Sequence, residues 1–123
     1  MPRHTILLVE DDDSLRSLYG LCLANMGFRV KAVKNGFEAI AELQEHRPDL
    51  IVTDLVLPVV DGLNLISIVK GKSEFADIPV IAVTAYGGEL EELAMSAGAD
   101  RVIKKSVGCD PVCDLISSLL AEN

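Results

Sequence analysis

The sequence contains few cysteines and few aromatic residues. Many cysteines would be typical of a small secreted domain held by disulfides or of a small domain held by a structural metal ion. Its 123 residues include only three cysteines, no tryptophan, two tyrosines and three phenylalanines. The cysteines Cys22, Cys109 and Cys113 form no CxxC pair, and an odd number of them is typical of a reducing compartment in which thiols stay free. Neither histidine is near them in sequence, so a zinc site is disfavoured.

Long apolar runs and clustered positive charge are also missing. No run approaches the roughly 20 apolar residues that span a membrane, and the N-terminus shows no signal-peptide pattern. The net charge is −8, and the one basic cluster, Arg101, Lys104 and Lys105, is too small to neutralise a nucleic-acid backbone. We therefore expect a cytoplasmic protein with protein partners, no direct nucleic-acid binding and no membrane association.

Short apolar runs alternate with segments of helical periodicity along the whole chain. They predict five strands, at residues 5–10, 29–33, 49–54, 79–84 and 101–104. Strands that are apolar on both faces and joined by helices indicate a parallel sheet covered on both sides. Because half of the residues are hydrophobic, we expect a single domain over residues 1–123. Its fold class is α/β, a doubly wound (βα)5 sandwich on a five-stranded parallel sheet.

The first predicted helix starts at a capping residue, one of Asp12, Asp13 or Ser14, and ends at Gly27. Its spacing places four side chains on one apolar face, which we expect to be buried: Leu15, Leu18, Cys22 and Met26.

Polar side chains stand where three of these strands end. Glu10 and Asp11 follow the first strand, Asp54 ends the third and Thr84 ends the fourth. Ligands of such sheets bind outside the carboxyl ends of the strands. Converging carboxylates repel each other unless a cation lies between them, and Mg²⁺ prefers oxygen ligands of this kind. An aspartate beside that ion can act as a nucleophile toward phosphorus.

The phosphoryl oxygens of such a reaction need positive or hydrogen-bonding partners besides the metal. The hydroxyl of Thr84 and the ammonium of Lys104 or Lys105 are the candidates. Adjacent side chains of a strand point to opposite faces, so only one of the two lysines can serve.

The chain carries four motifs: residues 6–12, residues 49–54 followed by Leu57-Pro58 and Asp61-Gly62, residues 79–85, and residues 97–100. In their order and spacing, these motifs make the chain resemble, from end to end, the receiver domain of two-component response regulators. The resemblance implies a flavodoxin-like fold, similar to the chemotaxis regulators, with strand order 2-1-3-4-5.

The resemblance also implies a role for each site residue. Asp54 would accept a phosphoryl group from a sensor histidine kinase or phosphotransfer protein. Asp11, Asp54 and the backbone carbonyl of Val56 would ligate Mg²⁺, and Glu10 would hold a metal-bound water. Thr84 would contact the phosphoryl group and switch the surface of helix 4, strand 5 and helix 5 for a downstream effector protein or domain. Such a domain catalyses only its own phosphorylation and dephosphorylation, and a homodimer is left open.

Four positions are notable against the family pattern. Counting from Gly98-Ala99, the family lysine is Lys105, but Ser106 follows it where a proline in a cis peptide is usual, so the peptide form is left open. Val102 replaces an aromatic residue that moves with the threonine, which leaves the loop after strand 4, or Tyr86, to carry the signal. Val56 and Tyr86 flank the path of a hydrolytic water and offer no carboxylate or amide to orient it, which predicts a long-lived phosphoryl state.

Three other classes of protein share parts of this pattern. An aspartyl phosphohydrolase would carry a second carboxylate at the position of Val56, so turnover of a substrate is disfavoured. A flavodoxin-like cofactor binder would need a phosphate loop where residues 10–13 are all acidic. A pseudo-receiver, which binds partners without being phosphorylated, stays open because of Ser106 and Val102.

Overall fold

The computed structural model of the protein describes residues 3–57, 60–85, 88–105 and 110–121. Five strands alternate with five helices. The strands are β1 (Thr5–Val9), β2 (Arg29–Val33), β3 (Leu50–Asp54), β4 (Val80–Thr84) and β5 (Arg101–Lys104). The helices are α1 (Asp13–Asn25), α2 (Gly36–Glu45), α3 (Gly62–Gly71), α4 (Glu89–Ala97) and α5 (Asp110–Ala121).

All five strands run parallel in one sheet with the order β2-β1-β3-β4-β5. The predicted fold class and strand order are therefore confirmed. The registers Val9↔Thr53 and Asp54↔Val83 bring the carboxyl ends of β1, β3 and β4 to the same edge of the sheet. The order reverses at β1 and β3, so the crevice of such a sheet lies between these two strand ends.

The sheet separates two apolar layers, because alternate side chains of its strands face opposite sides. One layer packs α1 and α5 against Ile6, Leu8, Leu50 and Val52. The other packs α2, α3 and α4 against the remaining side chains of the same strands, such as Leu7. In the part of the chain that the structure describes, no helix is long and apolar enough to cross a membrane.

The buried face of α1 differs from the predicted one. Leu18 is 46% exposed and Met26 is 42% exposed, whereas Tyr19 and Leu23 are buried. Two apolar stripes on this helix have helical spacing, and the stripe that packs on the sheet is the one through Leu15, Tyr19, Leu23 and the partly buried Cys22. Hydrophobicity alone does not show which of the two stripes is buried, because a tyrosine, an aromatic residue with a polar hydroxyl, and a leucine are both suited to a core position.

The predictions for the cap of α1 and for the cysteines can be compared with the structure. Asp12 is the residue that caps α1, with its side chain accepting a hydrogen bond from the backbone N–H of Leu15. Cys113 is free and buried. Cys22 is disulfide-bonded, so the expectation that thiols stay free is wrong for this residue. Cys109 lies outside the described residues.

The start of α3 lies in direct contact with the end of β3. Asp61 caps α3 by accepting a hydrogen bond from the backbone N–H of Asn64. The N–H of Gly62 donates to the carbonyl oxygen of Leu55 at 3.0 Å. A Cβ atom on Gly62 would lie 2.2 Å from the backbone oxygen of Asp54. Only a residue without a side chain allows this helix to begin so close to the strand end.

Candidate functional site

Three carboxylates meet at the carboxyl ends of β1 and β3. Glu10 and Asp11 follow β1 directly, and Asp54 is the last residue of the neighbouring strand β3. One carboxylate oxygen from each of the three lies within 4.8 Å of the others. The structure therefore brings together the three acidic residues that the sequence singled out.

The three carboxylates differ in exposure. Glu10 is 2% exposed and Asp54 is 6% exposed, whereas Asp11 faces solvent. Backbone N–H groups hold the two buried carboxylates: Asp12 donates to Oε2 of Glu10 at 3.1 Å, and Val56 donates to Oδ1 of Asp54 at 3.2 Å. The buried pair is thus fixed in place by the chain around it.

Lys105 brings a cation to this acidic cluster. Its Nζ lies 2.7 Å from Oδ2 of Asp54 and 3.0 Å from Oε1 of Glu10. The neighbouring Lys104 is exposed. Counting along the motif favoured Lys105 of the two, and this is the lysine that the structure places at the carboxylates.

Burial and charge shift the pKa values of Glu10 and Lys105. Burial raises the pKa of Glu10, against the opposing effect of the hydrogen bond from Lys105. Burial by itself would lower the pKa of Lys105, but its hydrogen bonds and charge attraction to Asp54 and Glu10 outweigh it and leave the pKa raised. Lys105 is therefore an ammonium at neutral pH, and its positive charge offsets two buried acids.

A shallow cleft of about 270 Å³ opens above the acidic cluster. It is lined by Asp11, Asp12, Leu15, Asp54, Val56, Ala85 and Lys105. Val56 stands at this cleft with a side chain that is 54% exposed. Thr84 ends β4 and is buried, one residue before the small Ala85 that lines the cleft. The opening gives a donor group access to Asp54.

The structure describes some of the positions that the sequence analysis set against the family pattern, and not others. Val102 is partly buried and packs against the layer that contains α4. Ser106 and Tyr86 lie outside the described residues. The expectation about the peptide bond after Lys105, and the expectation that Tyr86 shields the phosphoryl group, therefore stay predictions.

Sequence reasoning missed one residue beside the cluster. Arg16, in the first turn of α1, donates from Nη1 to the backbone oxygen of Glu10 at 3.1 Å. The signal in the sequence was only partial: Arg16 follows Asp13 by three residues, the spacing of a side-chain pair on a helix. Nothing in the residue types pointed to the backbone oxygen of Glu10.

The donor set of the cluster fits a hard divalent cation. It consists of oxygen atoms from Glu10, Asp11 and Asp54 and contains no sulfur or imidazole nitrogen. Mg²⁺ prefers such ligands and keeps some of its waters, which suits a cluster open to a cleft. A buried carboxylate beside a cation and an ammonium can also attack an electrophilic phosphorus. The arrangement is thus suited to receiving a phosphoryl group.

Comparison with known proteins shows what the chain is similar to. The family model described as "Response regulator receiver domain" matches residues 6–117. The polar-differentiation response regulator DivK of Brucella anthropi is 35% identical over 124 residues, which cover 99% of each protein. The signal receiver domain of a signal transduction histidine kinase from Syntrophus aciditrophicus has a TM-score of 0.91 at 31% identity, covering 97% of this chain and 91% of that one. The chemotaxis response regulator CheY4 of Vibrio cholerae, with a TM-score of 0.89 at 24% identity over 95% of this chain and 98% of that one, shares the fold.

Proposed function

We propose that this chain, which belongs to the family of response regulator receiver domains of two-component systems, accepts a phosphoryl group on Asp54 in a reaction that depends on Mg²⁺. The observation that carries the proposal is the surrounding of Asp54. Its buried carboxylate has the ammonium of Lys105 at 2.7 Å and two further carboxylates within 4.8 Å. A buried acid with this many charged neighbours is more than a packing residue.

In the proposed reaction a carboxylate oxygen of Asp54 attacks the phosphorus of a phosphohistidine. The P–N bond breaks, its electron pair stays on the imidazole, and an acyl phosphate forms on Asp54. Lys105 would neutralise charge on the phosphoryl oxygens, and Thr84 would donate a hydrogen bond to one of them. Asp11, Asp54 and the carbonyl of Val56 would hold Mg²⁺, with Glu10 bound through a water. The ion would supply charge neutralisation to the phosphoryl group.

The same proposal covers the partners and the output. The phosphoryl donor would be a sensor histidine kinase or a phosphotransfer protein, and the receiver would act in the cytoplasm as one domain over residues 1–123. Phosphorylation would switch the surface of α4, β5 and α5, which a downstream effector protein or domain then binds. The domain would catalyse its own phosphorylation and dephosphorylation only. The second candidate, a pseudo-receiver, is favoured only by Val102 and Ser106.

The test is intact mass spectrometry after incubation with acetyl phosphate, with and without Mg²⁺. Wild-type protein is expected to gain one phosphoryl group only when Mg²⁺ is present, and Asp54→Asn is expected to gain none. Asp49→Asn is the matched control, because Asp49 is an exposed aspartate just before the other end of the same strand, and it should be modified as wild type is. Lack of modification in all three proteins would favour the pseudo-receiver.

The exposed Val56 leads to a prediction about how long the modification lasts. A valine at the cleft cannot hydrogen-bond a water for attack on the acyl phosphate, so the phosphoryl group should be lost slowly. Val56→Asn is expected to speed its loss at least about tenfold, less than the roughly hundredfold or more of a full general base, because an amide only orients the water. Val56→Ala, which opens space without adding such a group, should change the rate much less. Loss of label from purified phosphoprotein measures these rates, and a wild-type half-life of a few seconds would contradict the prediction.

A further inference from the structure

Arg16 reaches back from α1 to the loop that carries the acidic pair. Its Nη1 donates to the backbone oxygen of Glu10 at 3.1 Å and makes a longer contact of 3.5 Å with the backbone oxygen of Asp11. Its Nη2 donates to Oδ1 of Asp13 at 2.6 Å. The Arg16 side chain is only 23% exposed, and the Asp13 side chain is 90% exposed. One guanidinium therefore contacts three groups around the candidate metal ligands.

The two carbonyl groups that Arg16 contacts belong to the peptide planes on either side of Asp11. The plane with the oxygen of Glu10 precedes the Cα atom of Asp11, and the plane with the oxygen of Asp11 follows it. Because a peptide unit is rigid, holding both planes leaves little freedom in φ and ψ of Asp11. The direction of its Cα–Cβ bond is then set from the backbone, and this limits the positions that its carboxylate can reach.

This control from the backbone matters because the carboxylate of Asp11 is otherwise free to turn. Asp11 is exposed, and its side chain makes no hydrogen bond or ion pair among the described residues. Glu10, by contrast, is oriented by the N–H of Asp12 and by Lys105. The exposed ligand thus depends on its backbone for its aim, whereas the buried one does not.

We propose that Arg16 is a positioning residue, which aims the carboxylate of Asp11 at the divalent cation of this site by holding the carbonyls of Glu10 and Asp11. The inference rests on the proposed function, since it assumes that the cluster binds Mg²⁺. The charge of Arg16 by itself would repel Mg²⁺, so the proposed gain in affinity comes from the carbonyl contacts and not from charge. Groups that orient metal ligands in this way typically change metal affinity by about 10–100-fold when removed.

The test is the dissociation constant for Mg²⁺, measured by titration of backbone amide resonances in wild type, Arg16→Met and Arg16→Lys. The methionine variant should bind Mg²⁺ at least about tenfold more weakly. Lysine keeps the charge and one donor but loses the planar fork, so its loss should be smaller. Asp13→Asn is the matched control. It removes the exposed partner and leaves the carbonyl contacts, and its dissociation constant should stay within about threefold of wild type, because exposed pairs contribute little.

Each outcome of this titration has a distinct meaning. Equal or tighter binding by Arg16→Met would overturn the proposal, because Arg16 would then act on Mg²⁺ only through charge repulsion. Thermal unfolding in EDTA checks that the variants are folded. If the methionine variant is unfolded, unchanged affinity in Arg16→Lys overturns the proposal in its place. Absence of Mg²⁺ binding by wild type would instead contradict the proposed metal site, and with it the premise of the inference.

Discussion

Replacement of Lys105 by methionine is expected to lower the free energy of unfolding of the metal-free protein by about 3 kcal/mol, the low end for loss of one partner from a buried ion pair. Lys105 lies 2.7 Å from Asp54 and 3.0 Å from Glu10, and those two residues are 6% and 2% exposed. Without the ammonium, two buried carboxylates face each other with no counter-charge. The measurement is urea unfolding in EDTA, followed by circular dichroism.

Lys104→Met is the matched control for this prediction. Lys104 is exposed and makes no ion pair among the described residues, so its loss should change stability by less than about 0.5 kcal/mol. Saturating Mg²⁺ should restore much of the stability of the Lys105 variant, because it binds the folded state and supplies the missing charge. Equal stability of the two variants in EDTA would contradict the prediction.

The pH dependence of this contribution follows from the direction of the Lys105 shift. The pKa of Lys105 is raised in the folded protein above its ordinary value. The stability that the ammonium contributes is therefore fully present below the pH at which a lysine in the unfolded chain titrates. It is lost only as the pH rises through the raised pKa of the folded state. At neutral pH the contribution is complete.

Gly62→Ala is expected to have the second large effect, on both stability and phosphorylation. Its Cβ would lie 2.2 Å from the backbone oxygen of Asp54 and 2.6 Å from the Cα atom of Leu55. Backbone atoms cannot rotate away, so α3 and the end of β3 must separate. Overpacking of this kind costs about 1–3 kcal/mol. Since the displaced residue is the proposed phosphoacceptor, the rate of modification by acetyl phosphate should fall as well.

Gly71→Ala controls for the change of residue type at the other end of the same helix. Nothing lies within 4 Å of the position where its Cβ would be. Alanine favours helix over glycine by about 1 kcal/mol in a helix interior, so this variant should be as stable as wild type or slightly more so, with the same rate of modification. A Gly62→Ala protein with wild-type stability and rate would show that the contact can relax without cost.

The sequence was sufficient for the fold and for the acidic cluster, for reasons that individual residues make clear. Strands such as Leu50–Asp54 are wholly buried, so they read as unbroken apolar runs that end in a polar residue. The carboxyl ends of parallel strands lie at the same edge of a sheet, which is why the sequence alone predicted that Glu10 and Asp54 lie close together. Each strand had to be located only to within a residue or two.

The contacts that depend on side-chain reach or on competition between similar residues could not be predicted. Leu18 and Tyr19 are neighbours in sequence, and both are apolar enough to be buried. Only the packing of α1 against the sheet determines that Tyr19 is the buried one. Arg16 acts through carbonyl groups, and a backbone acceptor leaves no mark in the residue types around it. The absence of a Cβ at Gly62 similarly reads as ordinary turn chemistry until the oxygen of Asp54 is located.

Because of the strand order, the ion pair of Lys105 connects the edge of the sheet to its centre. Lys105 follows the edge strand β5, whereas Asp54 ends the central strand β3, with β4 between them. The pair therefore ties the rim of the sheet to its middle across two strand spacings of about 4.8 Å each. Backbone hydrogen bonds join only adjacent strands, so this tie is made by side chains, through charge and a hydrogen bond. We expect any event that draws the charge of Asp54 away from the ammonium to weaken this tie at β5, the strand that lies between α4 and α5 in the chain.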